Sequence, residues 1–562
     1  MKKLIKPLFT LCALFSALPA PAAPPENDLV FKAMKDELSR TMGKLQMDAL
    51  QKPYVLSYDL QEGRSFSITA SFGAVESVYS SPYRRLKADL RVGSPAFDNT
   101  NYTPDRWGEG YHPATDWGMP FEGDNYDSIR YSIWAATDKA YKKALETYSK
   151  KKAYKDSKNI TELFDDRTPQ PPYELFQDAK TETLDENLWR ENIRKVSAIF
   201  LKYPAVSYSK VALNFNSGSA RFLDSDGTAF KKPDCQGSVT IEAETYAPDG
   251  FILSDGAKEA FCLAKDVPAL EALLAEAAAI GKRLSDLGKS TQLKAYIGPV
   301  LFEKDAAGVF LSNFLAMNIS NSREIWATPD RWSNEAVYRR AGALVERLNM
   351  RVLSPFLSVT DDPFARYYEG KPLVGGYAVD DEGVPAQKLD LVQKGKLLNY
   401  YMSRAATRDF KLSNGHGRAG TNDYPAGSPS SIFIRAEENS PKAMPEAALK
   451  TKLIELCREQ ELDYCLLVKA LDDMSSPFTA YRIYVSDGHE EPVHGVEFTG
   501  TSLRALRDIA AVSKELHVYY PDWSPTGTII TPSLLVQEME VKKTENKPEK
   551  KPYLRHPYFA KD

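Results

Sequence analysis

Apolar positions along the chain recur with one of two periods, and the switches between them outline the architecture. Residues 28–47 (DLVFKAMKDELSRTMGKLQM) space their apolar side chains by three and four, which predicts a helix capped at Asn27-Asp28. The runs YVLSYDLQ, SFSITASFG, VESVYSS and RRLKADLRVG alternate with a period of two and predict an antiparallel meander with one wet face. Residues 125–156 predict a long amphipathic helix whose closing lysines suit the negative end of the helix dipole. A helix near 185–202 comes next, then strands around SYSKVALNF, SARFLDSDG and SVTIEAETYAP, with Asp226-Gly227 as a hairpin turn. An Ala/Leu-rich helix over 267–288 ends at a boundary between Gly288 and Gln292.

The second half opens with the strand KAYIGPVLF and a helix over 304–318. Helices are expected at 334–349, 445–459 and 502–513, with strands between them and turns at Asp381-Glu382-Gly383 and Lys394-Gly395. IITPSLLVQEMEV is the last good strand. From Lys542 onward charge and proline replace periodicity, the composition of a flexible tail. No repeat of solenoid or propeller length is present.

The balance of 72 Lys+Arg against 76 Asp+Glu argues against a dedicated nucleic-acid binder, which needs a basic face. Six His and five Cys restrict metal chemistry. Lys2, Lys3 and Lys6, the apolar run Leu8–Leu18 and the small-residue site Ala20-Pro21-Ala22 form a secretory signal over residues 1–22, so a periplasmic or secreted location is expected. No stretch is long enough for a transmembrane helix. Export makes disulfides Cys235–Cys262 and Cys457–Cys465 possible, with four separate thiols as the alternative.

One segment carries a family resemblance. Tyr377-Ala378-Val379-Asp380-Asp381-Glu382-Gly383-Val384-Pro385-Ala386-Gln387, followed by LDLVQKGKLLNYYMSR, resembles the C-terminal signature of TldD/PmbA proteins, the U62 peptidase-related family. Ser413-Asn414-Gly415-His416-Gly417-Arg418, Pro492-Val493-His494-Gly495 and Thr531-Pro532-Ser533-Leu534-Leu535 support it, as do LRVGSPAFDNT and WAATDKAYKKAL in the first half. The resemblance implies an α+β protein, with an N-terminal α/β domain over 23–290 and a C-terminal domain over 291–541 built on a curved, mostly antiparallel sheet. Residues 542–562 would form the charged tail. It also implies a homodimer, or a heterodimer with a HExxxH-bearing paralogue, that handles extended peptides.

Catalytic members carry HExxxH on the helix after the strand that reads IGPVLF here, with a Cys nearer the C-terminus completing the zinc site. In this chain the two His positions fall on Glu303 and Gly308 and the Glu position on Lys304. No Cys follows Cys465. A charged lysine accepts no proton and glycine ligates nothing, so no zinc cofactor is expected. His489-Glu490-Glu491-Pro492-Val493-His494 does spell HExxxH, but Pro492 disrupts a helix, and in a strand positions five apart face opposite ways. His489, Glu490 and His494 are therefore the only ready-made candidates for a relocated zinc peptidase site, the alternative to a peptide-binding subunit without its own metal.

Asp380, Asp381 and Glu382 sit in a turn, either holding a peptide or simply solvated. His416 and Arg418 could bind a peptide carboxylate, or His416 could be satisfied by backbone. Tyr519, Tyr520 and Trp523, or Tyr79 and Tyr83, could line a peptide groove or pack in a core. Arg84, Arg85 and Lys87 read as a solvated strand face.

Overall fold

The computed structural model describes residues 28–103, 114–116, 125–327, 342–420, 424–476, 478–523, 525–545 and 558. Residues 1–22, where a signal segment is expected, and nearly all of the tail past Glu545 lie outside the described residues, as do residues 334–341 of the helix expected at 334–349; residues 342–349 form turns. Helix α1 (Leu29–Lys44) is capped by Asp28, whose carboxylate accepts from the Phe31 N–H at 3.0 Å. Helix α2 (Tyr126–Ser157) is capped in the same way by Asn125. Helices α3 (Glu186–Ala198) and α4 (Leu270–Leu287) complete the N-terminal set.

The expected meander is built from fewer and longer strands. YVLSYDLQ and SFSITASFG are parts of one strand, Pro53–Ser71, and the next two runs merge into Ala74–Ser94. No turn forms at Glu62-Gly63-Arg64, because Gly63 lies against Gly218 of the neighbouring strand Val206–Asp224. A β-carbon on Gly63 would stand 2.3 Å from the Ser217 carbonyl oxygen. With Ala229–Tyr246 and Ile252–Phe261 these strands form an eight-stranded sheet, antiparallel except where Glu174–Phe176 joins it.

Alternation along the strands divides the sheet into two unlike faces. Leu56, Tyr58 and Leu60 turn toward α1 and α2, while Phe66, Ile68 and Ala70, on the same face, turn toward α3 and α4. The opposite face carries Asp59, Gln61, Asn214, Asn216, Gln236 and Ser238 and looks toward the C-terminal domain.

That domain is a twelve-stranded, mostly antiparallel sheet. Its last strand, Thr528–Lys543, pairs with Ala295–Phe302 on one edge and with both Ile509–Tyr519 and Glu490–Thr499 on the other. The strands Glu490–Thr499, Phe478–Tyr484, Tyr464–Val468, Ala295–Phe302 and Thr528–Lys543 thereby close on themselves. This is the curvature the resemblance implies, reached by closing part of the sheet. Thr528–Lys543 runs past the expected start of the tail at Lys542, held there by a Lys542–Glu497 ion pair at 3.2 Å. Helix α5 (Lys304–Leu311) loosens into a π turn over Ser312–Ala316, and α6 (Glu446–Glu459) covers the sheet. The helix expected at 502–513 is only a 3-10 turn, Leu503–Leu506, before Ile509–Tyr519 enters the sheet. Among the described residues no helix is long and apolar enough to cross a membrane.

Cys235 and Cys262 form a disulfide between adjacent strands, whereas Cys457 and Cys465 are separate thiols buried with Leu301, Leu449 and Leu467.

Candidate functional site

The polypeptide leaves strand Ala295–Phe302 and turns at once into α5, which places Glu303, Lys304 and Gly308 side by side. Glu303 is half-buried and its N–H donates to the Val468 carbonyl at 3.0 Å. Burial pushes its carboxyl above the ordinary range, although Lys469 and Lys450 pull the other way. Lys304 takes a left-handed backbone, φ 43°, and its N–H donates to Ser533 Oγ at 3.1 Å. Ser533 in turn donates to Glu446, whose other oxygen lies 3.3 Å from His517 Nε2. These contacts fix the start of α5 with protein atoms.

A zinc ion needs about three protein ligands and an open position. Gly308 is sealed instead: a β-carbon built there would fall 2.3 Å from Cγ of Tyr519, whose ring fills the space an imidazole would need. Lys304 adds a cation beside Glu303. No described cysteine is free to serve as the thiolate, since Cys457 and Cys465 lie in the apolar core and the other two are bonded to each other. Among the described residues no three His, Cys, Asp or Glu side chains converge to hold an ion. The residues at the family position do not fit zinc.

The HExxxH-like run lies partly in a turn and partly on strand Glu490–Thr499. His489 is exposed and stacks on Tyr484. Glu490 pairs with Lys450 and Lys469. His494 is fully buried, 2.8 Å from Ser290 Oγ and 3.0 Å from Asp249, and ties the two domains together. The three side chains do not converge.

The Asp380–Gly383 turn forms as expected, with Gly383 at φ 80°, but it is only partly solvated. It presses onto the wet face of the N-terminal sheet, where Val379 packs on Phe222 and Phe230. Asp380 is fully buried and accepts from the N–H groups of Glu382, Val384 and Gly417. Burial, and then the charge of Glu382, push its carboxyl up; burial pushes Glu382 up as well. Against burial, the charges of Lys232 and Arg418 hold Asp381 below the ordinary range. His416 is enclosed, with Nδ1 at 3.1 Å from the Asn414 carbonyl and Nε2 at 3.4 Å from Asp361. The loop around it is therefore fixed; Asp380 and His416 are fully buried, while Asp381 and Glu382 remain partly exposed.

Arg84, Arg85 and Lys87 are not a solvated face. Neighbours on a strand point in opposite directions, so Arg84 turns under the helices to pair with Glu62 at 2.6 Å, while Arg85 and Lys87 are covered on the other side.

A cleft of about 190 Å³ opens where strands Ala229–Tyr246 and Ile252–Phe261 meet residues 520–523 and 526–527 of a C-terminal segment. Ser238 and Ala260 lie on the N-terminal side, and Tyr520, Pro521 and Trp523 on the other. Arg418 supports that segment by donating to the Thr526 carbonyl at 2.7 Å and the Pro429 carbonyl at 3.0 Å. Asp305 is solvent-exposed on the first turn of α5, yet desolvation of its carboxyl by the protein beside it pushes it up to about 6. Aromatic residues clustered around 519–523 were the sequence signal for this place. Its N-terminal half, Ser238 and Ala260, gave none.

Residues 296–543 match the PmbA/TldA metallopeptidase C-terminal domain. The C-terminal half of the chain belongs to the TldD/PmbA family. A curated metalloprotease from Archaeoglobus fulgidus is 27% identical over 181 residues, which is 31% of this chain and 38% of that relative. Solved structures extend the likeness to the N-terminal half. A proposed modulator of a DNA gyrase from Thermotoga maritima superposes with a TM-score of 0.59 at 16% identity, over 91% of this chain and all of its own. TldE from Thermococcus kodakarensis gives 0.57 at 14% identity over 91% and 99% of the two chains. A proposed modulator of DNA gyrase from Bacteroides thetaiotaomicron gives 0.59 at 12% over 92% and 98%. At these identities the likeness concerns the fold.

Proposed function

We propose that this protein is an exported, zinc-free member of the TldD/PmbA family that binds extended peptides between its two domains, alone or as the partner of a HExxxH-bearing paralogue. The observation that carries the reading is the Tyr519 ring seated on Gly308. It fills the family's metal position from within, so the loss of ligands is built into the packing. The uncharged polar residues of the wet sheet face, Asn214, Asn216, Gln236 and Ser238, suit main-chain hydrogen bonding to a chain of any sequence. The Cys235–Cys262 disulfide accords with an oxidising compartment.

The test is fluorescence anisotropy of labelled unstructured peptides with the mature protein, alone and mixed with the paralogue, alongside light scattering. The reading expects saturable binding without cleavage by the isolated chain, and a dimer alone or with the paralogue. No binding in either state would contradict it.

A further inference from the structure

The size and walls of the cleft point to an occupant. We propose that it is a side-chain pocket that takes one aromatic residue of an extended peptide; this deepens the peptide-binding reading and rests on it. About 190 Å³ is less than the several hundred typical of small-molecule sites. It is close to the roughly 150 Å³ cavity that accommodates one benzene ring. One ring therefore matches the space.

The walls are flat and fixed. Trp523 donates its Nε1–H to Ser312 Oγ at 3.1 Å, and the Tyr520 hydroxyl donates to the Pro372 carbonyl at 2.9 Å. Each aromatic wall thus has its polar end tied down behind the cleft. Gly527 permits close stacking, since a β-carbon there would fall 2.7 Å from the Trp523 ring. Walls already immobilised lose little entropy on binding. On the other side the small Ser238 and Ala260 lie beside Gln236, all on the wet face along which a peptide backbone would run. Lys258 stands at the rim, held by Asp522 and 3.4 Å from the Pro521 carbonyl, where its ammonium can meet the face of an inserted ring.

The experiment uses the mature full chain and three labelled unstructured peptides that differ only at the central residue: Phe, Ser or Glu. The Phe peptide should bind roughly tenfold or more tightly than the other two, the gain from burying one aromatic side chain. Ala260→Leu, which fills the pocket, should abolish the preference for the Phe peptide over the Ser peptide. A fourth peptide with single-ring azidophenylalanine at the central position should crosslink to residues 520–523 of the wild-type chain, a readout independent of how well the variant folds. Equal binding of all three peptides, a Phe preference that survives Ala260→Leu, or crosslinks only elsewhere would overturn the pocket. Failure of every peptide to bind would overturn the peptide-binding reading itself and the pocket with it.

Discussion

Tyr519 and Gly308 are interlocked: no side chain of any size fits on residue 308 while the Tyr519 ring lies 2.3 Å from where its β-carbon would be. Gly308→Ala should therefore destabilise the protein by about 1–3 kcal/mol from overpacking. The gain of up to roughly 1 kcal/mol in helix propensity does not offset this, because the obstructing atoms lie at the root of a ring and cannot swing aside. Urea unfolding checks it. The double variant Gly308→Ala/Tyr519→Ala should lose less than the sum of its two single changes, as contacting residues do. A Gly308→Ala protein as stable as wild type would show that the ring is loosely held.

The Cys235–Cys262 bond closes a separation of 27 residues and pins the end of strand Ile252–Phe261 beside the cleft. Replacing both cysteines with serine should cost about 2–4 kcal/mol. Treating wild type with reductant should shift its unfolding midpoint to that of the variant, while leaving the variant unmoved. Identical midpoints before and after reduction would contradict this.

Asp305 sets a pH dependence whose sign is fixed by its surroundings. Although the residue is solvent-exposed, desolvation of its carboxyl by neighbouring protein raises it from 3.8 to about 6, so the folded state favours the protonated acid. That contribution is fully present below 3.8 and is lost as pH rises through about 6. Asp305→Asn should flatten the fall in stability across this window and leave the variant more stable than wild type at neutral pH. Parallel urea titrations at several pH values measure it. A variant that follows the wild-type profile would place the carboxyl in open water.

Much of the fold was legible because local chemistry agreed with the global pattern. Asp28 and Asn125 cap their helices, and Gly227, Gly383 and Gly395 turn where the sequence places turns. The failures have physical causes. Gly63 looked like a turn residue, but its role is to let Gly218 approach, a contact 155 positions away along the chain that no local pattern encodes. The 502–513 stretch has apolar residues at helical spacing, yet Ile509, Ala511 and Val512 gain more by pairing with Thr528–Lys543. At the site, the expectation of missing ligands at Glu303, Lys304 and Gly308 came from position in the sequence. That Tyr519 fills the gap was not readable there, nor was the partial burial of the Asp380–Gly383 turn, because each depends on a surface contributed by a distant strand.

Export is tested by intact mass. The signal over residues 1–22 predicts that protein recovered from the cell envelope or the medium begins near Ala23. A full-length species confined to the cytosol would contradict export.

The central claim is that the family's metal position has been converted into packed protein, and metal content with activity tests it most directly. The mature chain is dialysed, assayed for zinc by mass spectrometry and incubated with unstructured peptides. In parallel, a His489→Ala/His494→Ala variant is treated identically. The account predicts far less than one zinc per chain and intact peptides in both samples. Near-equimolar zinc with hydrolysis abolished by a chelator would contradict it, and loss of both in the variant would move the active site to His489, Glu490 and His494.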